Sequence, residues 1–249
     1  MAYQTVFKRY ELKYMLTSEQ KSMLLRVIDP YMALDKYGRT TIRNIYFDTP
    51  DYRLIRNSIE RPVYKEKLRI RSYGKAQPNS TVFVELKKKY KHIVYKRRLP
   101  MLERDAMEWL ADCNAKGSDT QISAEIEYFM RYYQNLHPQV FLSYEREAFY
   151  CKDTGDFRIT FDDNILFRTH DISLCSDAYG TPLLSEGKIL MELKCSGGLP
   201  LWMTSFLSEE GLYKTSFSKY GTAYRNYIFP QLCGISCVNE EKEVKKYVN

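Results

Sequence analysis

A chain of 249 residues with 44% hydrophobic side chains fits one large domain or two small ones and can bury a substantial core. Lys and Arg total 38 against 31 Asp and Glu, a formal charge of +7, which favours a polyanionic partner over a cationic one. Six scattered cysteines without a CxxC pair and only three histidines suggest neither a zinc site nor a disulfide framework, and no run of about 18 apolar residues could cross a membrane.

The first 14 residues hold no apolar signal core, so a cytoplasmic protein with reduced thiols is expected, its membrane attachment only through a partner protein. A strand is expected over residues 6–14. Thr17-Ser18 then start a helix with Glu19 and Gln20 in its first turn and Met23, Leu24 and Ile28 at helical spacing, and Pro30 stops it. A strand over 40–47 leads into Asp48-Thr49-Pro50-Asp51, which reads as a turn into a short helix with Pro near its first position. Strands over 65–73, 81–88 and 92–99 with short connections form an antiparallel meander. Two helices, 102–111 and 122–134, flank a polar linker at 114–120.

Strand signals resume over 139–151, 157–162, 165–168 and 188–195, with turns predicted at 153–156 and at Asp162-Asp163-Asn164. Helices near 201–208 and 218–228 close a single domain of residues 1–235, and 236–249 reads as a charged, solvated tail. The aromatic load, 22 Tyr and 12 Phe, agrees with a β-rich fold.

Residues two apart in a strand share a face, and that rule sorts the charges. Arg9, Glu11 and Lys13 point together; so do Lys67, Arg69 and Arg71, and Glu85 with Lys87. Tyr144 shares a face with Arg146, Arg158 with Thr160 and Asp162, and Glu192 with Lys194. A single strand of this kind suits a sheet with one wet face. Repetition across the chain places many like charges on one face, where they repel unless compensated. A closed or strongly curved sheet resolves this, with apolar faces covered by helices outside and a cationic lumen matched to a chain of phosphates.

The sequence has no GxxxxGK[ST], no GxGxxG and no GxSxG, so side chains must bind the phosphate and covalent catalysis is not expected. Lys89-Tyr90-Lys91 could stack bases, but the basic residues alternate on inward faces rather than forming an exposed stripe, which argues against a nucleic-acid partner.

In this order, RYELKY (9–14), KLRIRSYG (67–74), FVELKKK (83–89), YKRRLP (95–100), SYEREAF (143–149), FRITFDDN (157–164), ILMELK (189–194) and FSKYGTAY (217–224) resemble the vacuolar transporter chaperone domain. That family is the polyphosphate polymerase branch of the triphosphate tunnel metalloenzymes. The resemblance implies an α+β fold, an eight-stranded antiparallel β-barrel tunnel with helices packed on the outside. It implies transfer of the ATP γ-phosphate onto inorganic polyphosphate. Carried across, the phosphate-binding catalytic set is Lys13, Arg69, Arg71, Lys87, Lys96, Arg146, Arg158 and Lys219, with Tyr144, Ser218 and Lys194 as substrate-binding residues. Glu192 matches the metal-binding glutamate, for Mn²⁺ or Mg²⁺. Arg9 stands where hydrolase relatives carry the first glutamate of ExExK, which favours the polymerase branch and leaves the role of Glu11 open.

Blander readings compete at several positions. Glu192 could simply pair with Lys194, Lys96 could be a solvated lysine among Lys91, Arg97 and Arg98, Lys219 could be an exposed helical lysine, and Tyr144 could be packing. A triphosphatase using the same tunnel, or a polyphosphate-binding module without turnover, are the alternative functions.

Overall fold

Strands long enough to alternate several times dominate the chain. The computed structural model describes residues 6–7, 10–91, 93–112, 117–153 and 156–234. Eight strands of eight residues or more are β2 (Tyr10–Thr17), β4 (Thr40–Asp48), β5 (Tyr64–Tyr73), β6 (Thr81–Tyr90), β7 (Ile93–Leu102), β8 (His137–Cys151), β9 (Arg158–Arg168) and β11 (Lys188–Cys195). Three short ones, β1 (Val6–Phe7), β3 (Met32–Leu34) and β10 (Thr181–Pro182), complete an 11-stranded antiparallel sheet. Its path runs β1-β7-β6-β5-β4-β8-β9-β11-β2, with β3 on β8 and β10 on β9.

No ladder joins β7 to β2 among the described residues; the chain itself links the two ends. β1 pairs with β7, and after residues 8–9 the chain continues as β2 against β11. The antiparallel sheet therefore curls round a lumen, with its first strand split between the two edges.

Two helical layers cover the outer face. α1 (Ser18–Ile28) and α5 (Leu201–Glu209) pack Leu24, Ile28, Met203 and Phe206 on Leu16, Ile159, Phe161, Met191 and Leu193. α3 (Glu103–Ala111) and α4 (Gln121–Tyr133) pack Trp109, Leu110, Ile126 and Phe129 on Ile45, Leu68, Ile70, Val84 and Leu86. α1 begins as the sequence predicts, with a capping box: Thr17 Oγ1 accepts from the Gln20 N–H at 3.2 Å and the Gln20 side chain accepts from the Thr17 N–H at 3.0 Å.

A third apolar cluster lies on the inner face at one end of the lumen. Ile42, Leu142, Ile165 and Leu190 pack there against Ile55 of α2 (Arg53–Ile59) and Tyr220, Ala223, Tyr224 and Ile228 of the C-terminal helical segment. That segment departs from the expected single outer helix over 218–228: it is α6 (Lys219–Ala223), a π-helical turn (Tyr224–Ile228) and α7 (Phe229–Leu232). Pro230 has no N–H and its ring crowds the carbonyl four residues earlier, which accounts for the widened turn before it.

Two other expectations are corrected. Asp162-Asp163-Asn164 is not a turn between two strands; β9 runs through it, and Asn164 (φ +45°) is the extra residue of a bulge where the register to β8 shifts between Ser143 and Glu145. Pro50 does not begin α2, which starts at Arg53 after Tyr52 in the left-handed region (φ +59°). The expectations for the Arg9 side chain, His92, Cys113 and the tail beyond residue 235 lie outside the described residues.

Candidate functional site

Inward-facing positions of the eight long strands converge on the lumen, and there the bases outnumber the carboxylates. Neighbouring strands set them in rows: Tyr46, Arg69, Glu85 and Arg98 are successive register partners across β4, β5, β6 and β7. Lys67, Lys87 and Lys96 form the next row, and Lys13, Glu192 and Thr160 are aligned across β2, β11 and β9. Lys67 opposite Lys87, and Lys87 opposite Lys96, are the like-charge pairs that a sheet avoids unless an anion is part of its purpose.

Two carboxylates organise the bases tightly. Glu85 is fully buried and lies 2.7 Å from Arg69 Nη2, 2.7 Å from Lys96 Nζ and 2.5 Å from Arg98 Nη2. Burial alone would raise its pKa; Arg69, Arg71, Lys96 and Arg98 hold it well below the carboxylate range instead. Asp162, also fully buried, takes two hydrogen bonds of 2.6 Å from Arg146 and one of 2.5 Å from Lys219. Its pKa is lowered in the same way, burial being outweighed by Arg146 and Lys219.

Glu192 is held loosely. Lys13, Arg146, Lys194 and Lys219 surround it at 3.2, 3.5, 3.5 and 3.7 Å, all longer than the 2.5–2.7 Å contacts to Glu85 and Asp162, and Arg146 Nη2 donates to it at 3.5 Å. Against its burial, Lys219, Lys13, Lys194 and Arg146 keep it well below the usual range, hence ionised. Thr160, its cross-strand neighbour, has a buried hydroxyl with no protein partner among the described residues. Glu192 and the Thr160 hydroxyl are oxygen donors of the kind a hard divalent cation takes, and further oxygen ligands would have to complete its shell. No group of three or more His, Cys, Asp or Glu that could hold a metal by itself occurs among the described residues.

The remaining residues singled out from the sequence fall as follows. Arg71 donates to Asn44 Oδ1 at 2.9 Å and to the Tyr144 hydroxyl at 3.0 Å. Tyr144 is buried, with the Arg146 guanidinium and Lys219 ammonium over its ring at 5.0 and 4.3 Å. Ser218 caps α6, accepting from the Gly221 N–H at 3.2 Å and from Lys67 Nζ at 3.4 Å. Lys13 donates to the Phe217 carbonyl at 3.0 Å. Lys87 reaches Glu11 on β2 at 3.3 Å and holds its pKa down to about 2. Arg158 is exposed at the end of β9, level with Lys194, and makes no ion pair among the described residues.

Sequence reasoning places Lys67, Glu85 and Asp162 on the ionic face but does not single out Tyr46 and Arg98 as lumen residues or Glu85 and Asp162 as organisers of the bases. Period two was the available signal, since Lys67, Glu85 and Asp162 share faces with recognised residues; the cross-strand register that makes them central is not local. Burial lowers Lys96 to about 7 against the pull of Glu85, and burial with Lys87, Lys65 and Lys13 lowers Lys67 to about 8 against the pull of Tyr46. Burial would raise Tyr46, but Arg69, Lys67 and Arg71 bring it to about 8, and its hydroxyl accepts from Arg69 Nη1 at 2.9 Å.

The sequence matches the VTC domain over residues 8–228. The chain belongs to the VTC domain family. No curated protein matches this VTC domain. Solved structures similar to it include a candidate adenylyl cyclase from Hippeastrum with a dominant triphosphatase activity. That protein is 16% identical, at a TM-score of 0.49, over 86% of this chain and 94% of its own. A candidate adenylate cyclase from Vibrio parahaemolyticus is 13% identical at a TM-score of 0.48, over 88% of this chain and 98% of its own. No helix among the described residues of the VTC domain is long and apolar enough to cross a membrane.

Proposed function

We propose that this VTC domain is a phosphotransferase that moves the γ-phosphate of ATP onto an inorganic polyphosphate chain in its lumen, with Mn²⁺ or Mg²⁺ at Glu192. Membership of the family supports an enzyme of the triphosphate-tunnel kind. The observation that carries the polymerase reading is the state of the lumen carboxylates. Glu11, Glu85, Asp162 and Glu192 are all ion-paired and held below their ordinary range. None is a base for water near neutral pH, whereas a phosphate acceptor arrives already anionic and requires none.

In this reading Arg69, Arg71, Lys87, Arg146 and Lys219 hold the phosphates in line and neutralise charge on the transferring group. Glu85 and Asp162 engage the Nε and Nη2 edges of Arg69 and Arg146 and thereby fix the guanidinium planes, so little reorganisation accompanies transfer. Glu192, which Lys13 and Lys194 approach at 3.2 and 3.5 Å, would hold the cation, and those two lysines would meet incoming phosphate oxygens. When bound, the metal supplies further neutralisation of the phosphate oxygens.

A second reading is hydrolysis of a triphosphate. Water would then be the acceptor in the same lumen, beside Lys96, which lies 2.7 Å from Glu85. Incubating the protein with ATP and Mn²⁺ and resolving the products on a gel separates the two. Long polymer from the wild type, lost in Glu192→Ala and Arg69→Ala, is the expected result. Free phosphate alone, with its release abolished in Lys96→Met, would replace the polymerase with the triphosphatase.

A further inference from the structure

On the outer side of the lumen wall, a cavity of about 690 Å³ opens between α2, α4 and strands β5 and β6. Its volume is that of a small-molecule site. Glu66 forms its floor: it is 9% exposed and accepts hydrogen bonds from the Tyr64 and Tyr133 hydroxyls. Tyr128 and Tyr132, 64% and 57% exposed, present rings 6.3 Å apart and 22° from parallel at the rim. Two rings side by side at the mouth offer a flat surface on which a planar group can stack.

The cationic members of the cavity have donors to spare. The Arg53 guanidinium lies over the Tyr132 and Tyr133 rings at 5.9 and 5.3 Å and makes no ion pair among the described residues. Lys88 stands 3.9 Å from Glu66 and 3.7 Å from Glu125, too far for a close hydrogen bond to either. The Asn57 amide adds a donor and an acceptor to the wall.

We infer that this cavity is a mononucleotide site separate from the lumen, the base stacking on Tyr128 and Tyr132 and the phosphate meeting Arg53 and Lys88. Stacking on tyrosine tolerates any base, Asn57 and Glu66 can read a base edge, and arginine supplies a forked donor to phosphate. A bare phosphate chain would leave the rings unused. Along β5 and β6 the cavity residues Glu66 and Lys88 alternate with the lumen residues Lys67 and Lys87, so an occupant touches the same wall from behind.

The inference stands independently of the reaction proposed for the lumen, and calorimetry with AMP tests it. AMP is titrated into the full chain with the lumen first saturated by tripolyphosphate. Binding of AMP should persist, weaken about tenfold in Arg53→Gln and in Tyr132→Ala, and stay within about twofold in Arg69→Ala. Both outer residues are exposed, and an unchanged thermal midpoint shows that the variants fold. No AMP binding by the wild type overturns the inference. So does binding that tripolyphosphate displaces, that Arg69→Ala removes, or that Tyr132→Ala leaves untouched.

Discussion

Asp162 and Glu192 lie on one inward face of adjoining strands, yet the same bases treat them differently. Arg146 and Lys219 clamp Asp162 at 2.5–2.6 Å and approach Glu192 only to 3.5 and 3.7 Å. Asp162 is therefore an internal counter-ion that fixes two lumen bases, Arg146 and Lys219, and Glu192 is the carboxylate they hold more loosely. Asp162→Asn should weaken tripolyphosphate binding about tenfold by calorimetry, as expected when a buried charge-assisted pair loses its partner, even though the lumen becomes more positive. Tighter binding would mean that net charge, rather than aim, governs the site. The lysines make a second prediction. Lys96 near 7 and Lys67 near 8 both gain a reason to stay protonated when phosphate arrives, so their pKa values rise on binding. Binding near pH 8 should take up protons, and affinity should fall as pH rises through the window of about 7 to 9. Titrations in two buffers of different ionisation enthalpy measure that uptake, and proton release would contradict it. Period two made Lys13, Arg69, Arg71, Arg146 and Glu192 legible in the sequence. It could not distinguish the tightly held carboxylates from the loose one, because that depends on which strand lies opposite.

At the scale of elements, one side chain joins three of them. Asp48, at the end of β4 and fully buried, accepts from the Thr49, Leu54 and Ile55 N–H groups at 2.9, 2.8 and 3.0 Å and from the Tyr220 hydroxyl at 3.0 Å. It thereby caps the start of α2 and ties it to α6, whose cap Ser218 and first residue Lys219 reach Lys67 and Asp162 in the lumen. Asp48→Ala leaves several buried donors unpaired and should cost about 3 kcal/mol, or roughly 6–12 °C in Tm for a chain of this size. A thermal scan with no change would detach α2 from the placing of Lys219. Local signals found the elements they govern: the capping box at Thr17 and Gln20 sets α1 where the sequence predicts it. The bulge at Asn164 resembles a turn in the sequence because polar residues with access to the left-handed region serve both purposes. Only the continued pairing with β8 on either side distinguishes them.

Across the whole molecule, the charge pattern and the topology agree. A sheet whose first strand is shared between its two edges, with helices on its apolar outer face, places the alternating ionic residues inside. This much was legible, since it follows from alternation and amphipathic helices. The apolar plug at one end was not, because Ile42, Leu142 and Leu190 continue the inward face, and only their packing against Tyr220 and Tyr224 shows that the lining changes there. In the proposed reading the lumen, and not the outer surface, holds a phosphate chain. A crystal structure with tripolyphosphate bound tests this. Phosphate density is expected along the inner face, within hydrogen-bonding distance of Arg69, Arg146 and Lys219, with Lys13 and Lys194 drawn away from Glu192. Density confined to the outer surface, with the Asp162 and Glu85 clusters unchanged and no phosphate between them, would contradict it.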